Sequence, residues 1–115
     1  MASGPGLVVT SAARTATGNS GSLDAPIESI LVLAVAVSAA SGTTPSMTLS
    51  VEWSMDGGTT FHAVDTAADA FAAITTTTNV VKSFTTKGSN YRIVWTISGT
   101  TPSFTFTVRE MGVGA

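Results

Sequence analysis

The stretch Ser41-Gly42-Thr43-Thr44-Pro45-Ser46-Met47-Thr48-Leu49-Ser50-Val51-Glu52-Trp53 decides the fold, because its first six residues return as Ser98-Gly99-Thr100-Thr101-Pro102-Ser103. The copies lie 57 residues apart, and each is followed by apolar-Thr-apolar-Ser/Thr-Val. Met47, Leu49, Val51 and Trp53 alternate with Thr48, Ser50, Glu52 and Ser54, the period of a strand with one buried face. An apolar strand enters each SGTTPS segment and an alternating strand leaves it. Gly supplies permissive backbone angles and Pro fixes φ outside the hydrogen-bond ladder, so both copies read as turns of two related β-hairpins at one end of a sandwich.

The same alternation extends outward. Tyr91, Ile93, Trp95 and Ile97 form one apolar face, and Phe104, Phe106 and Val108 form another. Residues 30–37 are apolar at every position, which predicts a central strand covered on both sides. Clusters of β-branched and aromatic residues predict further strands at 7–10, 61–64 and 80–85. Gly, Pro, Asn and Asp punctuate the intervals at 18–21, 42–45, 56–58, 88–90 and 99–102. The fold expected is all-β, a single antiparallel β-sandwich of about seven strands, Ig-like or jelly-roll-like. Residues 25–115 supply the sandwich domain, and residues 1–24 supply an extended N-terminal arm with the first strand. The alanine-rich stretch 65–73 fits a helical turn or a loop, and 75–78 has no assigned place.

Composition restricts function. A chain of 115 residues builds one core. Only 10% of its residues are charged, against about a quarter in ordinary globular proteins. The formal net charge is -2 and the mean hydropathy is +0.38, so the surface is mostly Ser, Thr, Gly and Ala. Free soluble proteins stay dispersed through mixed surface charge. Part of this surface is therefore expected to be covered by a partner or by copies of the chain. The absence of cysteine excludes disulfides, thiolate metal sites and cysteine nucleophiles. The first residues carry no basic and apolar leader pattern, which predicts use without export from the cytoplasm of synthesis. The longest apolar run, residues 30–37, is far shorter than the ~20 residues of a membrane-crossing helix, so no membrane partner is expected. Arg14, Lys82, Lys87, Arg92 and Arg109 are scattered and outnumbered by seven carboxylates, which argues against direct nucleic-acid binding.

The run Ser54-Met55-Asp56-Gly57-Gly58-Thr59-Thr60-Phe61 resembles an Asp-box, Ser-x-Asp-x-Gly-x-Thr followed by an aromatic. The resemblance implies a structural turn in which Asp56 accepts backbone hydrogen bonds and Phe61 packs inward, and Asp56, Gly57 and Gly58 independently read as a tight turn. Asp-boxes are familiar from sialidase propellers, but 115 residues cannot supply several four-stranded blades. His62 is the sole histidine and lacks partners for a zinc site or a catalytic relay, so it reads as a surface or strand-edge residue. The carboxylates Asp24, Glu28, Glu52, Asp56, Asp65, Asp69 and Glu110 are dispersed; Asp65 and Asp69 could attract calcium, but the EF-hand ligand order is missing. No catalytic residue, metal or cofactor is predicted. Trp53 and Trp95 sit on the apolar parity of their strands and are expected in the core; exposed, they would form a sugar-stacking platform.

Taken together, the apolar strand at 30–37, SGTTPS, the strand ending VEWSMDGGTTF and the final YRIVWTISGTTPSFTFTV resemble small β-sandwich virion proteins of tailed bacteriophages, over residues 30–108. The resemblance implies a structural virion protein, foremost a capsid decoration protein. Its partners would be the major capsid protein and copies of itself, including as a homo-oligomer. Contact loops are expected at Gly42, Thr43, Thr44 and Pro45 and at Gly99, Thr100, Thr101 and Pro102, together with the N-terminal arm. The alternatives are a phage tail or head-tail joining protein, and a carbohydrate-binding, adhesin-like β-sandwich.

Overall fold

A computed structural model describes residues 2–27 and 29–114, so Met1 of the expected arm and Glu28 lie outside the described residues. Among the described residues there is no helix, and every strand pairing is antiparallel. The strands are β1 (Ala2–Arg14), β2 (Gly18–Asn19), β3 (Leu23–Asp24), β4 (Ile30–Ser54), β5 (Thr78–Thr85) and β6 (Asn90–Val113). The sheet order is β1-β6-β4-β5, with β2 and β3 also pairing to β6.

The two SGTTPS segments are not hairpin turns. Each lies inside one long strand, β4 of 25 residues or β6 of 24. The two strands pair from Ile30↔Val113 to Ser54↔Asn90, and the segments face each other through Ser41↔Ser103, Thr43↔Thr100 and Ser46↔Ser98. The turn chemistry is satisfied in another way. Gly42 and Gly99 take φ of 115° and 118°, and Thr44 and Thr101 take 47° and 46°, so each copy bends the chain while its backbone bonds to the other copy. Strands expected separately at 30–37 and 47–53, and at 91–97 and 104–108, are thereby joined in pairs.

The bend is sharp. A straight strand of 25 residues would span about 80 Å, whereas the longest dimension of the molecule is 40 Å. Tyr91 reaches Glu110 along the same strand with a hydrogen bond, and the Trp95 and Phe106 rings meet edge to face at 5.5 Å. The β4–β6 ribbon is therefore creased at SGTTPS and closes on itself as two layers. One layer runs β1, β6 (104–113), β4 (30–37) and β5. The other runs β2 and β3, β6 (90–97), β4 (47–54), and then single bridges from β4 to His62, Ala70 and Ile74. Of the strand expected at 61–64, only the His62 bridge to Trp53 is present. Residues 2–14, expected as an arm with a first strand only at 7–10, are hydrogen-bonded along β6, which needs an edge partner for residues 104–113.

A pseudo-twofold axis passes between Gly42 and Gly99. β4 follows β2 and β3 as β6 follows β5, and the short flanking strands pair only across the axis: β2 and β3 to β6, β5 to β4. β1 lies along the second half of β6 as residues 62–74 lie along the second half of β4. The chain is thus two intertwined repeats, neither of which completes its own sheet. The symmetry makes the Asp-Gly-Gly loop, which joins Trp53 to its partner His62, the counterpart of the paired ends Ala2 and Val113. A permutant that links Gly114 to Ala2 and opens the chain between Gly57 and Gly58 is expected to fold to the same sheet, tested by near-ultraviolet circular dichroism and cooperative unfolding.

The core follows the alternation. Leu31, Leu33, Val35 and Val37, then Met47, Leu49, Val51 and Trp53, face Tyr91, Ile93, Trp95, Phe104, Phe106 and Val108, all buried. Residues 30–37 are apolar throughout, yet Val32, Ala34 and Ala36 are only half-buried, because the outer side of that layer has no further cover. Trp53 and Tyr91 are register partners, with rings 5.9 Å apart, and such aromatic pairs add about 1 kcal/mol beyond their burial.

Candidate functional site

The crease concentrates the residues expected as contact loops. Gly42, Thr43, Thr44, Gly99, Thr100 and Thr101 are exposed, and Pro45 and Pro102 are half-buried beside them. The patch carries no charge and is held rigidly. A Cβ on Gly42 would stand 2.8 Å from the Thr101 carbonyl oxygen, and one on Gly99 the same distance from that of Thr44. Thr44 and Thr101 each donate a hydroxyl hydrogen bond of 2.8 Å to the preceding carbonyl. A β-branched residue at positive φ is strained, and such strain persists only where the surroundings enforce it. Thr44→Asn and Thr101→Asn are each expected to raise stability by about 1 kcal/mol, since Asn tolerates the left-handed conformation. Thermal unfolding measures the gain.

The loop after β4 is organised by Ser54 and Asp56. The buried Ser54 hydroxyl donates to Asp56 Oδ1 at 2.7 Å and accepts from the Gly58 amide at 2.9 Å. Asp56 Oδ1 also accepts from the Thr59 and Thr60 amides at 3.1 and 2.9 Å. Gly57 and Gly58 adopt φ of 81° and 98°. The Thr60 amide and the Ser54 hydroxyl hold the Asp56 carboxyl well below the usual carboxylate range. A depressed folded value means that the carboxylate contributes stability above its unfolded pKa of about 4 and loses it as pH falls toward the folded value. Asp56→Asn should therefore be less stable than the parent at pH 7, and the difference should close below about pH 4 in urea unfolding. Phe61 does not pack inward. It is half-buried on the outer face, where the Arg92 guanidinium lies 4.6 Å from its ring centroid and pairs with Glu52 at 2.7 Å.

The other singled-out residues separate. His62 is exposed and bonded to Trp53 through backbone atoms alone, at 2.8 Å in both directions. Asp65 is exposed and caps the Ala67 and Ala68 amides at 3.2 and 3.0 Å. Asp69 is buried, accepting from Trp53 Nε1 at 3.0 Å and Lys87 Nζ at 2.8 Å, so both of its carboxylate oxygens are engaged by protein donors. Among the described residues no group of three or more His, Cys, Asp or Glu side chains gathers around a metal-sized position. Trp53 and Trp95 are buried and present no face for sugar stacking. The Tyr91 phenol is pushed far above its ordinary pKa by burial and by its hydrogen bond to Glu110. No family model, curated protein or solved structure matches this chain.

Sequence reasoning passed over the buried Trp53-Asp69-Lys87 cluster and the aromatic seat of Arg14, whose guanidinium lies 4.6 Å from the Trp95 ring centroid. The only available signal was Asp69 standing between Ala67-Ala68 and the apolar run Ala70-Phe71-Ala72-Ala73-Ile74.

Proposed function

We propose that this chain is a structural virion protein that decorates and stabilises an assembled phage capsid. The observation that carries this reading is the use of its few charges. Glu52 pairs with Arg92, Asp69 with Lys87 and Glu110 with Tyr91, while Asp24, Asp56, Asp65 and Arg14 all hold hydrogen bonds within the chain. Lys82 and Arg109 are the charged side chains without such a partner among the described residues. What remains outside is hydroxyl-rich and apolar, with Leu7, Ile27, Met55, Val64 and Val81 exposed. Such a surface supports binding through apolar contact and hydrogen bonds to a protein lattice, rather than electrostatic capture of a mobile ligand. The buried tryptophans favour this reading over a sugar-binding module. The preferred contacts are the crease and the N-terminal segment that forms β1.

A subunit that binds only the closed shell stabilises it by mass action. Purified protein is expected to co-sediment with capsids lacking it, to do so almost equally at low and high salt, and to raise their resistance to heat. Failure to bind capsids, with recovery of the chain only from isolated tails, would move the assignment to the tail.

A further inference from the structure

The outer edges of the two layers are treated differently. β1 is interrupted by three register shifts, β2 and β3 have two residues each, and residues 62–74 touch β4 through isolated bridges. Bulges, brevity and irregular pairing are the ordinary means of preventing an edge from templating another strand. β5 has none of these three, and the one charge along it is Lys82. Its eight residues pair with β4 in unbroken register, without Gly or Pro, and among the described residues its other side carries no strand.

The internal repeat provides a second comparison. Arg14 is the register partner of Phe104 and Ile74 that of Met47, and Phe104 and Met47 each follow an SGTTPS segment, so Arg14 and Ile74 occupy equivalent places. In the first repeat the Arg14 guanidinium fills the gap between the layers, over Trp95 at 4.6 Å and Phe106 at 5.4 Å. In the second repeat, among the described residues, no such side chain fills the gap. A groove of about 420 Å³ lies open there, lined by Phe71, Ile74, Val80 and Lys82 beside the β5 edge, against about 180 Å³ at the Arg14 side.

We propose that β5 and this groove accept an extended segment of another protein as an added strand, with an apolar side chain in the groove and a carboxylate opposite Lys82. Backbone hydrogen bonds along β5 supply binding and the alternate side chains supply selectivity. Lys82 selects the occupant. Among the described residues it has no hydrogen-bond or ion-pair partner, it lines the groove, and it is the sole charge that β5 would present to an added strand. Charge complementarity therefore favours an acidic, apolar strand from a different protein over a second copy of this chain. The assignment rests on the sheet edge and holds whether or not the chain belongs to a virion.

The probe is a capped peptide, Thr-Val-Glu-Val-Thr-Val, titrated into the full chain and followed through backbone amide shifts. Shifts are expected on residues 71–85 and not on β1. A peptide with Lys in place of Glu should bind about threefold more weakly, the scale of a part-exposed ion pair. Lys82→Glu, checked for unchanged thermal unfolding, should reverse that preference, and N-methylation of alternate peptide amides should abolish binding. Absence of β5 shifts at saturating peptide, shifts confined to β1, or a preference unaltered by Lys82→Glu would each overturn the proposal. So would a dimer of the free protein with β5 amides protected, which would place a second copy at this edge. None of these outcomes bears on capsid co-sedimentation, so the two proposals fail separately.

Discussion

Asp69→Ala is expected to lower stability by about 3 kcal/mol, a fall in melting temperature of roughly 10–15 °C. The Asp69 carboxylate is 2% exposed and holds two donors, the Trp53 indole and the Lys87 ammonium. Removing it leaves the indole N–H unpartnered in the core and strands a cation that is itself only partly solvated. The exposed side of Lys87, and its further hydrogen bond to the Thr85 carbonyl, keep the loss at the lower end for a broken buried pair. Asp69→Asn retains an acceptor for Trp53 and should lose about half as much. If Asp69→Ala unfolded at the parental temperature, the cluster would contribute no net stability, and the anchoring of residues 65–74 would have to come from Phe71, Ile74 and the backbone hydrogen bonds to β4.

Gly42→Ala and Gly99→Ala are each expected to cost about 3 kcal/mol, for two separable reasons. Both positions have φ near the middle of the positive range, and a Cβ at either would stand 2.8 Å from a carbonyl oxygen of the opposite strand. Gly21→Ala separates the two contributions. Gly21 has φ of 78° with open space around it, so its replacement carries only the conformational cost of about 1 kcal/mol. Because Gly42 and Gly99 contact each other's segments, the double variant should not add simply, and loss of cooperative unfolding is expected. Equal small losses at Gly21, Gly42 and Gly99 would mean that the crease is not closely packed.

The elements legible in the sequence were those with a period of two. The strands at 47–53, 91–97 and 104–108 announce their buried faces because each second side chain is large and apolar, and the burial of Trp53 and Trp95 follows from the same parity. Turn chemistry was legible only as a local preference. Gly-Thr-Thr-Pro permits a reversal of the chain, but the residues themselves do not say whether the backbone groups will pair with their own flanks or with a distant copy. Here the distant copy is the partner, and two strands became one at each site. Phe61 shows the same limit, since its outward place depends on the Glu52–Arg92 pair across β4 and β6. The burial of Asp69 depends on an indole 16 residues before it and an ammonium 18 residues after it, a placement that no spacing rule encodes.

The crease, the intertwined repeats and the open β5 edge all depend on the pairing of one SGTTPS segment with the other. Because the chain contains no cysteine, paired substitutions report that geometry directly. Ser41→Cys with Ser103→Cys places thiols at register partners, whereas Ser41→Cys with Ser46→Cys tests closure of a local hairpin. After mild oxidation, quantified by mass spectrometry on the monomer, this pairing predicts a disulfide in the first variant and free thiols in the second. A disulfide between residues 41 and 46 with none between 41 and 103 would contradict it.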